Sequence, residues 1–240
     1  MTVTRMVAVV LGGGTGTRFG AARPKQLLTL DGRSLVEHCV AAFSAAPGID
    51  EVLLVMGAAF VEEAAGLVAG LGGAGQGCAV IEGGVTRADS VRNAIGHLAA
   101  RNDPAATGVL FHDAARPLVD QRVIADCVAA LREHDAIGTA VPTPDTIVVV
   151  KDGVMHHVPP RESLMRCQTP QGFRLSVIAL AHEMAASDPA FVPTDDCGVI
   201  LRYLPDVPVH VVAGSERTMK VTYPADLAVA EILLRSEVIG

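Results

Sequence analysis

Tryptophan is absent from this 240-residue chain, and aromatic residues make up only 3% of it. That argues against gripping single-stranded nucleic acid by stacking its bases on aromatic platforms. A positive charge excess is missing too. The formal net charge is −7, so no broad electrostatic footprint for DNA or RNA is expected. An anionic ligand must therefore be held by a local basic cluster. No apolar run is long enough to span a bilayer, and the opening MTVTRMVAVVLGG lacks a secretory-signal pattern, so no membrane partner is expected. The five cysteines, Cys39, Cys78, Cys127, Cys167 and Cys197, form no CxxC pair and no Cys/His spacing suited to zinc. They read as buried or half-buried free thiols of a cytoplasmic protein. His156-His157 is the one adjacent His pair. Neighbours on a strand point to opposite faces, which makes it a poor chelate.

What is present is apolar. Half of the residues are hydrophobic, enough to bury the core of one large α/β domain. Short apolar runs at 7–11, 51–56, 79–82 and 109–112 alternate with helical patterns at 35–46, 60–71, 88–100 and 122–134. This rhythm predicts an α/β fold, a mostly parallel sheet with helices on both faces. Ser34-Leu35-Val36-Glu37 has the form of a capping box, in which the Ser and Glu side chains satisfy each other's backbone N–H groups. After Ile137 the rhythm breaks. Two β-like runs flank Lys151-Asp152-Gly153, a strong hairpin turn, and Pro142, Pro144, Pro159 and Pro160 fence them. The expectation is one domain over 1–240 carrying a projecting β-hairpin arm at about 138–160. An isolated hairpin is marginally stable, so the arm needs something to pack on, and a second subunit would serve. A helix over 175–186, a strand over 207–213 and a last helix from Pro224 return to the core.

The stretch "GGGTGTRFGAARPKQ", residues 12–26, follows the first strand. Glycines there let backbone N–H groups approach a phosphate closely. The spacing fits neither a dinucleotide fingerprint, because Thr17 or Phe19 falls where its third glycine belongs, nor a P-loop, because Lys25 lies between Pro24 and Gln26. Arg18, Arg23 and Lys25 suit a triphosphate whose charge must be neutralised during transfer. A tight strand–helix turn with solvated arginines would also account for the glycines. Lysine scarcity bears on the choice. Of nineteen Lys and Arg residues only Lys25, Lys151 and Lys220 are Lys. Lysine is a compact point charge and arginine a planar fork, so surviving lysines mark places where a fork does not serve. Lys151 is explained by its turn; Lys25 and Lys220 are not.

Residues 12–18 with Pro24-Lys25-Gln26 resemble the signature of cytidylyltransferases that act on polyol phosphates, the 2-C-methyl-D-erythritol 4-phosphate cytidylyltransferase family, with ribitol-5-phosphate cytidylyltransferase a close relative. "GGVTRADSV" (83–91), "HDAARP" (112–117), "DTI" (145–147), "QTPQGF" (168–173), "TDD" (194–196) and "KVTYPADLAVAE" (220–231) follow in the family's order. The resemblance implies a Rossmann-like nucleotidyltransferase fold. It also implies transfer of a cytidylyl group from CTP to a polyol phosphate, with pyrophosphate leaving. Methylerythritol phosphate is the first-choice acceptor, which would place the protein in isoprenoid precursor synthesis; ribitol 5-phosphate, used for envelope polymers, is the alternative.

The resemblance assigns roles by position. Gly12, Gly13, Gly14, Thr15 and Gly16 would cradle the triphosphate, and Arg18, Lys25 and Lys220 would be catalytic. Gly84, Val85 and Ser90 would read the cytosine edge, with Arg87 supporting their loop. Asp113 would bind Mg²⁺ and Ala114 touch the ribose. Arg116, Thr146, Arg161, Thr169 and Thr194 would face the acceptor, and the arm would enter a neighbouring subunit's site in a homodimer. His112 reads as a packed core residue and Asp226 as a carboxylate in the first turn of the last helix. Departures from the family pattern cluster on the acceptor side: Val148 where Lys is frequent, and Pro160 where Asp is frequent.

Overall fold

The computed structural model describes residues 2–13 and 24–236. Eleven strands are assigned among them: β1 (Arg5–Gly12), β2 (Thr29–Leu30), β3 (Arg33–Ser34), β4 (Glu51–Met56), β5 (Cys78–Glu82), β6 (Thr107–Asp113), β7 (Ala136–Pro142), β8 (Val149–Lys151), β9 (Val154–His157), β10 (Met165–Arg174) and β11 (His210–Ala213). The helices are α1 (Leu35–Ser44), α2 (Val61–Gly70), α3 (Arg87–Ala99), α4 (Gln121–Glu133), α5 (Leu175–Ala186), α6 (Asp196–Tyr203) and α7 (Pro224–Ser236).

Seven strands form one sheet in the order β11-β7-β10-β6-β1-β4-β5. All neighbours are parallel except β10, which runs antiparallel to β6 and β7. Alternation along β1 sorts its side chains into two layers. Ala8 and Val10 pack with Phe43 of α1, Val68 of α2 and Ile124 of α4. Val7, Val9 and Leu11 pack with Leu98 of α3, Ile178 of α5 and Ile200 of α6. A strand covered on both faces has no solvated side, which is why β1 reads as a continuous apolar run rather than an alternating one. Each fully buried Val, Leu, Ile or Phe adds about 1.5–3 kcal/mol of transfer free energy, so these two layers dominate the stability of the domain. Leu30, Leu35, Leu118 and Val221 form a smaller cluster around Ala230 of α7.

Local signals act as expected at several joints. Ser34 and Glu37 form the full capping box at the start of α1. The β8–β9 turn has positive φ at Asp152 (52°) and Gly153 (79°), the left-handed pair that a two-residue hairpin requires. Among the described residues this hairpin pairs with no other strand, and Val154 and Met155 are 68% and 72% exposed. The arm starts later than the sequence suggests. Residues 138–142 continue β7 between β10 and β11 and are mostly buried, so the projecting part follows Pro142. The expected strand at 207–213 forms only from His210, behind Pro208. Helix α6 has no counterpart among the sequence expectations; its Asp195 cap and short length give a weak periodic signal. Cys167 is exposed rather than covered; the other four thiols are buried or half-buried, and all five are free.

The end of β6 is locked by a chain of hydrogen bonds. The Asp113 N–H donates to Thr169 Oγ1 (3.1 Å), and Thr169 Oγ1 lies 3.1 Å from His112 Nδ1. His112 Nε2 lies 3.0 Å from the Arg116 carbonyl, which can only accept. Nε2 therefore carries the proton and Nδ1 accepts from Thr169. Burial, only partly offset by these bonds and by Asp113, pushes the His112 imidazole down to about 4, so it is a neutral core residue. Its folded value lies below its unfolded value near 6.5. Its contribution is thus fully retained above pH 6.5 and is lost as pH falls toward 4. Each tenfold change in proton affinity is worth about 1.4 kcal/mol, so the acid-side stability loss due to His112 is on the order of 3 kcal/mol. Urea unfolding of His112→Gln between pH 7 and 4 is expected to show that loss removed. Parallel stability–pH curves for the two proteins would refute it.

Candidate active site

Strand order reverses between β1 and β6. β4 and β5 extend the sheet on one side of β1, whereas β6 lies on the other, with Leu11 in register with Asp113. Connections leave such a point in opposite directions and open a crevice at the carboxyl ends of the strands, where α/β sheets bind ligands. Gly12 and Gly13 end β1 there. A Cβ on Gly12 would lie 2.3 Å from Met56 Sδ, and one on Gly13 would lie 2.9 Å from Ser90 Oγ. Glycine thus lets the β1 end sit against β4 and α3. Gly14, Thr15, Gly16 and Arg18 lie outside the described residues.

Facing these glycines, Asp113 gathers three cations from separate parts of the chain. Lys220 Nζ donates to Oδ2 at 2.8 Å. Arg87 Nε, at the start of α3, lies 3.6 Å from Oδ1, and Arg116 Nε lies 3.7 Å from Oδ2. Burial alone would raise the Asp113 carboxyl. Lys220, Arg87 and Arg116 outweigh it and hold the group far below the usual carboxylate range, so Asp113 is ionised. Lys25 Nζ donates to the Val221 carbonyl at 2.6 Å, which sets it one residue from Lys220. Two of the three lysines therefore converge on one short segment.

The "GGVTRADSV" loop is built around Ser90. Its hydroxyl accepts from Gly84 N–H (3.1 Å) and donates to the Thr86 carbonyl (3.1 Å), and the residue is buried. Thr86 and Asp89 form a second capping box at the start of α3. A Cβ on Gly84 would meet Asp89 Cβ at 2.0 Å, so only glycine fits that turn. Val85 stands 95% exposed at the rim. Ser90 is thus an organiser of the loop, with its donor already committed, rather than a group aimed at a base.

Other expected residues also take different places. Arg87 does not brace the Gly84 loop; its guanidinium Nη2 pairs with buried Asp196 at 2.7 Å while its Nε faces Asp113. Arg116 is mostly buried and donates to the Thr218 carbonyl (2.8 Å), so it fastens the Lys220 segment to β6 instead of standing open to an acceptor. Thr169 is buried, with its hydroxyl used by His112 and Asp113. Ala114 is buried, and its N–H donates to the Leu11 carbonyl at 3.0 Å, holding β1 and β6 together at the crevice floor. Thr146 and Arg161 meet on the arm, where Arg161 Nη2 donates to Thr146 Oγ1 (2.9 Å). Thr194 is exposed in the turn before α6. Among the described residues no hydrogen bond or ion pair joins Thr146, Arg161 or Thr194 to the Asp113 cluster.

Sequence reasoning alone misses Asp196, His182 and Thr218 as parts of the site. "TDD" displays Asp196, but nothing in its spacing ties it to Arg87, 109 positions earlier. A separate cavity of about 510 Å³ lies among Arg132, His134, Arg174, Asp206 and His210. It opens beside the starts of β7 and β11, the opposite end of the sheet from Asp113.

The crevice suits binding of a polyphosphate and stabilisation of charge at phosphorus. Its arginines are held by fixed partners, its buried histidine is neutral, and among the described residues no base accepts from Ser90. Comparison with known proteins agrees with this chemistry. Residues 6–236 match the family model described as 2-C-methyl-D-erythritol 4-phosphate cytidylyltransferase. The enzyme of that name from Thermobifida fusca is 48% identical over 98% of this chain and 95% of its own. The crystal structure of the Thermus thermophilus enzyme of that name superposes with a TM-score of 0.74 at 31% identity, covering 98% of this chain and 100% of that one. A bifunctional ribulose 5-phosphate reductase/CDP-ribitol pyrophosphorylase from Haemophilus influenzae is 33% identical over 98% of this chain, which spans 49% of that larger protein. A crevice built for phosphoryl charge, in a chain matched along nearly its whole length, places the protein in the 2-C-methyl-D-erythritol 4-phosphate cytidylyltransferase family.

Proposed function

We propose that the protein transfers a cytidylyl group from CTP to 2-C-methyl-D-erythritol 4-phosphate, releasing pyrophosphate, as a Mg²⁺-dependent cytoplasmic homodimer. The observation that carries this reading is the Asp113–Lys220 pair, with Lys25 one residue away, opposite the Gly12-Gly13 turn at the switch point of the sheet. An oxygen of the acceptor phosphate forms a bond to the α-phosphorus as the bond to the β-phosphate oxygen breaks. No covalent bond to the protein is needed, so the residues position groups and stabilise charge. Lys220 reaches the reacting phosphates from the segment before α7, and Lys25 lies against the same segment. The phosphates compete with Asp113 for the Lys220 ammonium, which is flexible enough to serve both.

The donor set fits magnesium. Among the described residues no group of three or more His, Cys, Asp or Glu side chains is arranged to hold a metal ion by itself; Asp113, in register with the end of β1, would offer one hard carboxylate oxygen. Magnesium commonly takes one or two carboxylates and completes its shell with water and substrate phosphates. Of the two Asp113 oxygens, Oδ2 receives the Lys220 hydrogen bond and faces Arg116, whereas among the described residues Oδ1 has only the longer Arg87 contact. When bound, the ion would neutralise phosphate charge and orient the triphosphate.

The arm supports homodimerisation. Val150, Val154, Met155 and Val158 are all more than half exposed on a hairpin that cannot hold itself. Docking this surface on a second copy would cover it and carry Arg161 and Thr146 toward the neighbour's crevice. The free thiols suit the reducing cytoplasm, and no described helix is long and apolar enough to cross a membrane. Ribitol 5-phosphate is the second acceptor, since Val148 and Pro160 depart from the family pattern on the acceptor side.

Three measurements test these assignments. Lys25→Ala and Lys220→Ala are each expected to cut the rate of pyrophosphate release by about 10²–10³-fold, with a smaller change in KM for CTP, because the contacts strengthen in the transition state. Turnover within a few-fold of the parent would remove that lysine from the mechanism. Mixing inactive Arg161→Ala chains with inactive Lys25→Ala chains is expected to restore activity through hybrid dimers with one intact shared site. Demonstrated subunit exchange without recovery would refute the composite site. Pyrophosphate release measured in parallel with the two acceptors is expected with methylerythritol phosphate. Release with ribitol 5-phosphate alone would move the acceptor assignment while leaving the nucleotide side unchanged.

A further inference from the structure

Arg87 is shared unequally between two carboxylates. Its Nη2 lies 2.7 Å from Asp196 Oδ2, whereas its Nε stays 3.6 Å from Asp113 Oδ1, beyond a normal hydrogen bond. Asp196 is fully buried and fixed from every side. Its Oδ1 lies 3.1 Å from His182 Nε2, and its own N–H, with that of Cys197, binds Gln171 Oε1 at 3.0 and 3.2 Å. Gln171 is held in turn by the hydrogen bond its Nε2 donates to Asp195 Oδ2 (2.9 Å). The Asp196 carboxylate cannot follow Arg87 toward the crevice, so it anchors the guanidinium.

We infer that Asp196 is a positioning residue that restrains Arg87, keeping Asp113 Oδ1 open to a divalent cation. The effect is geometric: a released guanidinium could close the short gap to Oδ1 and occupy it. The inference rests on the placement of Mg²⁺ at Asp113, and it assigns a role to a residue two positions from Thr194, outside the nucleotide loops.

Calorimetric titration of the full-length protein with CTP, with and without Mg²⁺, tests this apart from turnover. For the parent, Mg²⁺ is expected to tighten CTP binding. In Asp196→Asn that metal-dependent gain is expected to fall about tenfold, the scale at which supporting partners tune metal sites. Metal-free CTP binding should stay within a few-fold of the parent, because the added positive charge does not oppose the nucleotide. Replacing Arg87 as well, in Arg87→Met/Asp196→Asn, removes the competitor and is expected to return the gain to within about threefold of the parent. Should Asp196→Asn fail to fold, the double variant compared with Arg87→Met serves instead. Without the arginine, Asp196→Asn is expected to leave the metal-dependent gain unchanged. A parent that gains nothing from Mg²⁺ would overturn the metal placement and this inference together. A parent that gains, with an equal gain in Asp196→Asn, would overturn the inference alone. So would equal losses with and without metal, or a change that persists after Arg87 is removed.

Discussion

A half-buried carboxylate at the end of β6 is the constraint on which the site depends. With its side chain only 13% exposed, Asp113 needs partners to stay ionised, because withdrawing a charge from water costs several kcal/mol. The chain meets that requirement with Arg87 from α3, Arg116 from the loop after β6, and Lys220 from the segment before α7. None of the three is close to another in sequence. The demand of one charge therefore fixes how three segments converge, and the crevice is the space they enclose.

The same constraint explains how a protein of net charge −7 can hold a triphosphate. Interaction between exposed charges fades within about 10 Å at ordinary ionic strength, whereas buried groups are screened far less. What a phosphate meets is the local cluster. There Arg87, Arg116 and Lys220 face Asp113 and Asp196, leaving one excess positive charge before Lys25 is counted. Carboxylates elsewhere keep the surface acidic without cancelling this field. The arginines are locked by planar, directional contacts to Asp196 and Thr218, while Lys25 and Lys220 each make a contact with a single flexible ammonium group. That division of labour accounts for a chain with so few lysines keeping one at position 25 and one at 220.

Much of the scaffold is legible in the sequence because it is written in local patterns. The four apolar runs form β1, β4, β5 and β6, and the Ser34/Glu37 box and the Asp152-Gly153 turn form as their chemistry dictates. The elements that sequence reading misses or misplaces depend on distant partners. Residues 138–142 look like the foot of an arm, since Pro142 and Pro144 end and follow them, yet β10 pairs along one edge to Pro142 and β11 along the other to Ala140. Strand β10 can be long and irregular because it lies between β7 and β6 and its register shifts between Cys167 and Gln171. At the site, residue types and motifs are legible and contacts are not. The family resemblance assigns Ser90 to the cytosine edge, but Ser90 spends its hydroxyl on Gly84 and Thr86.

The "TDD" triplet makes the same point within three residues. Thr194 is exposed, Asp195 caps α6 through the Gly198 N–H, and Asp196 is buried against Arg87 and His182. The cap residue turns its side chain back onto the first-turn N–H groups and the residue before it is still outside the helix, while the packing of α6 turns Asp196, the first helical residue, inward. Placing a carboxylate at that first inward position puts a fixed negative charge behind Arg87. It sits just past the turn that carries Thr194. The start of α6 and the Asp113 carboxylate are thereby joined through Asp196 and Arg87 by contacts of 2.7 and 3.6 Å.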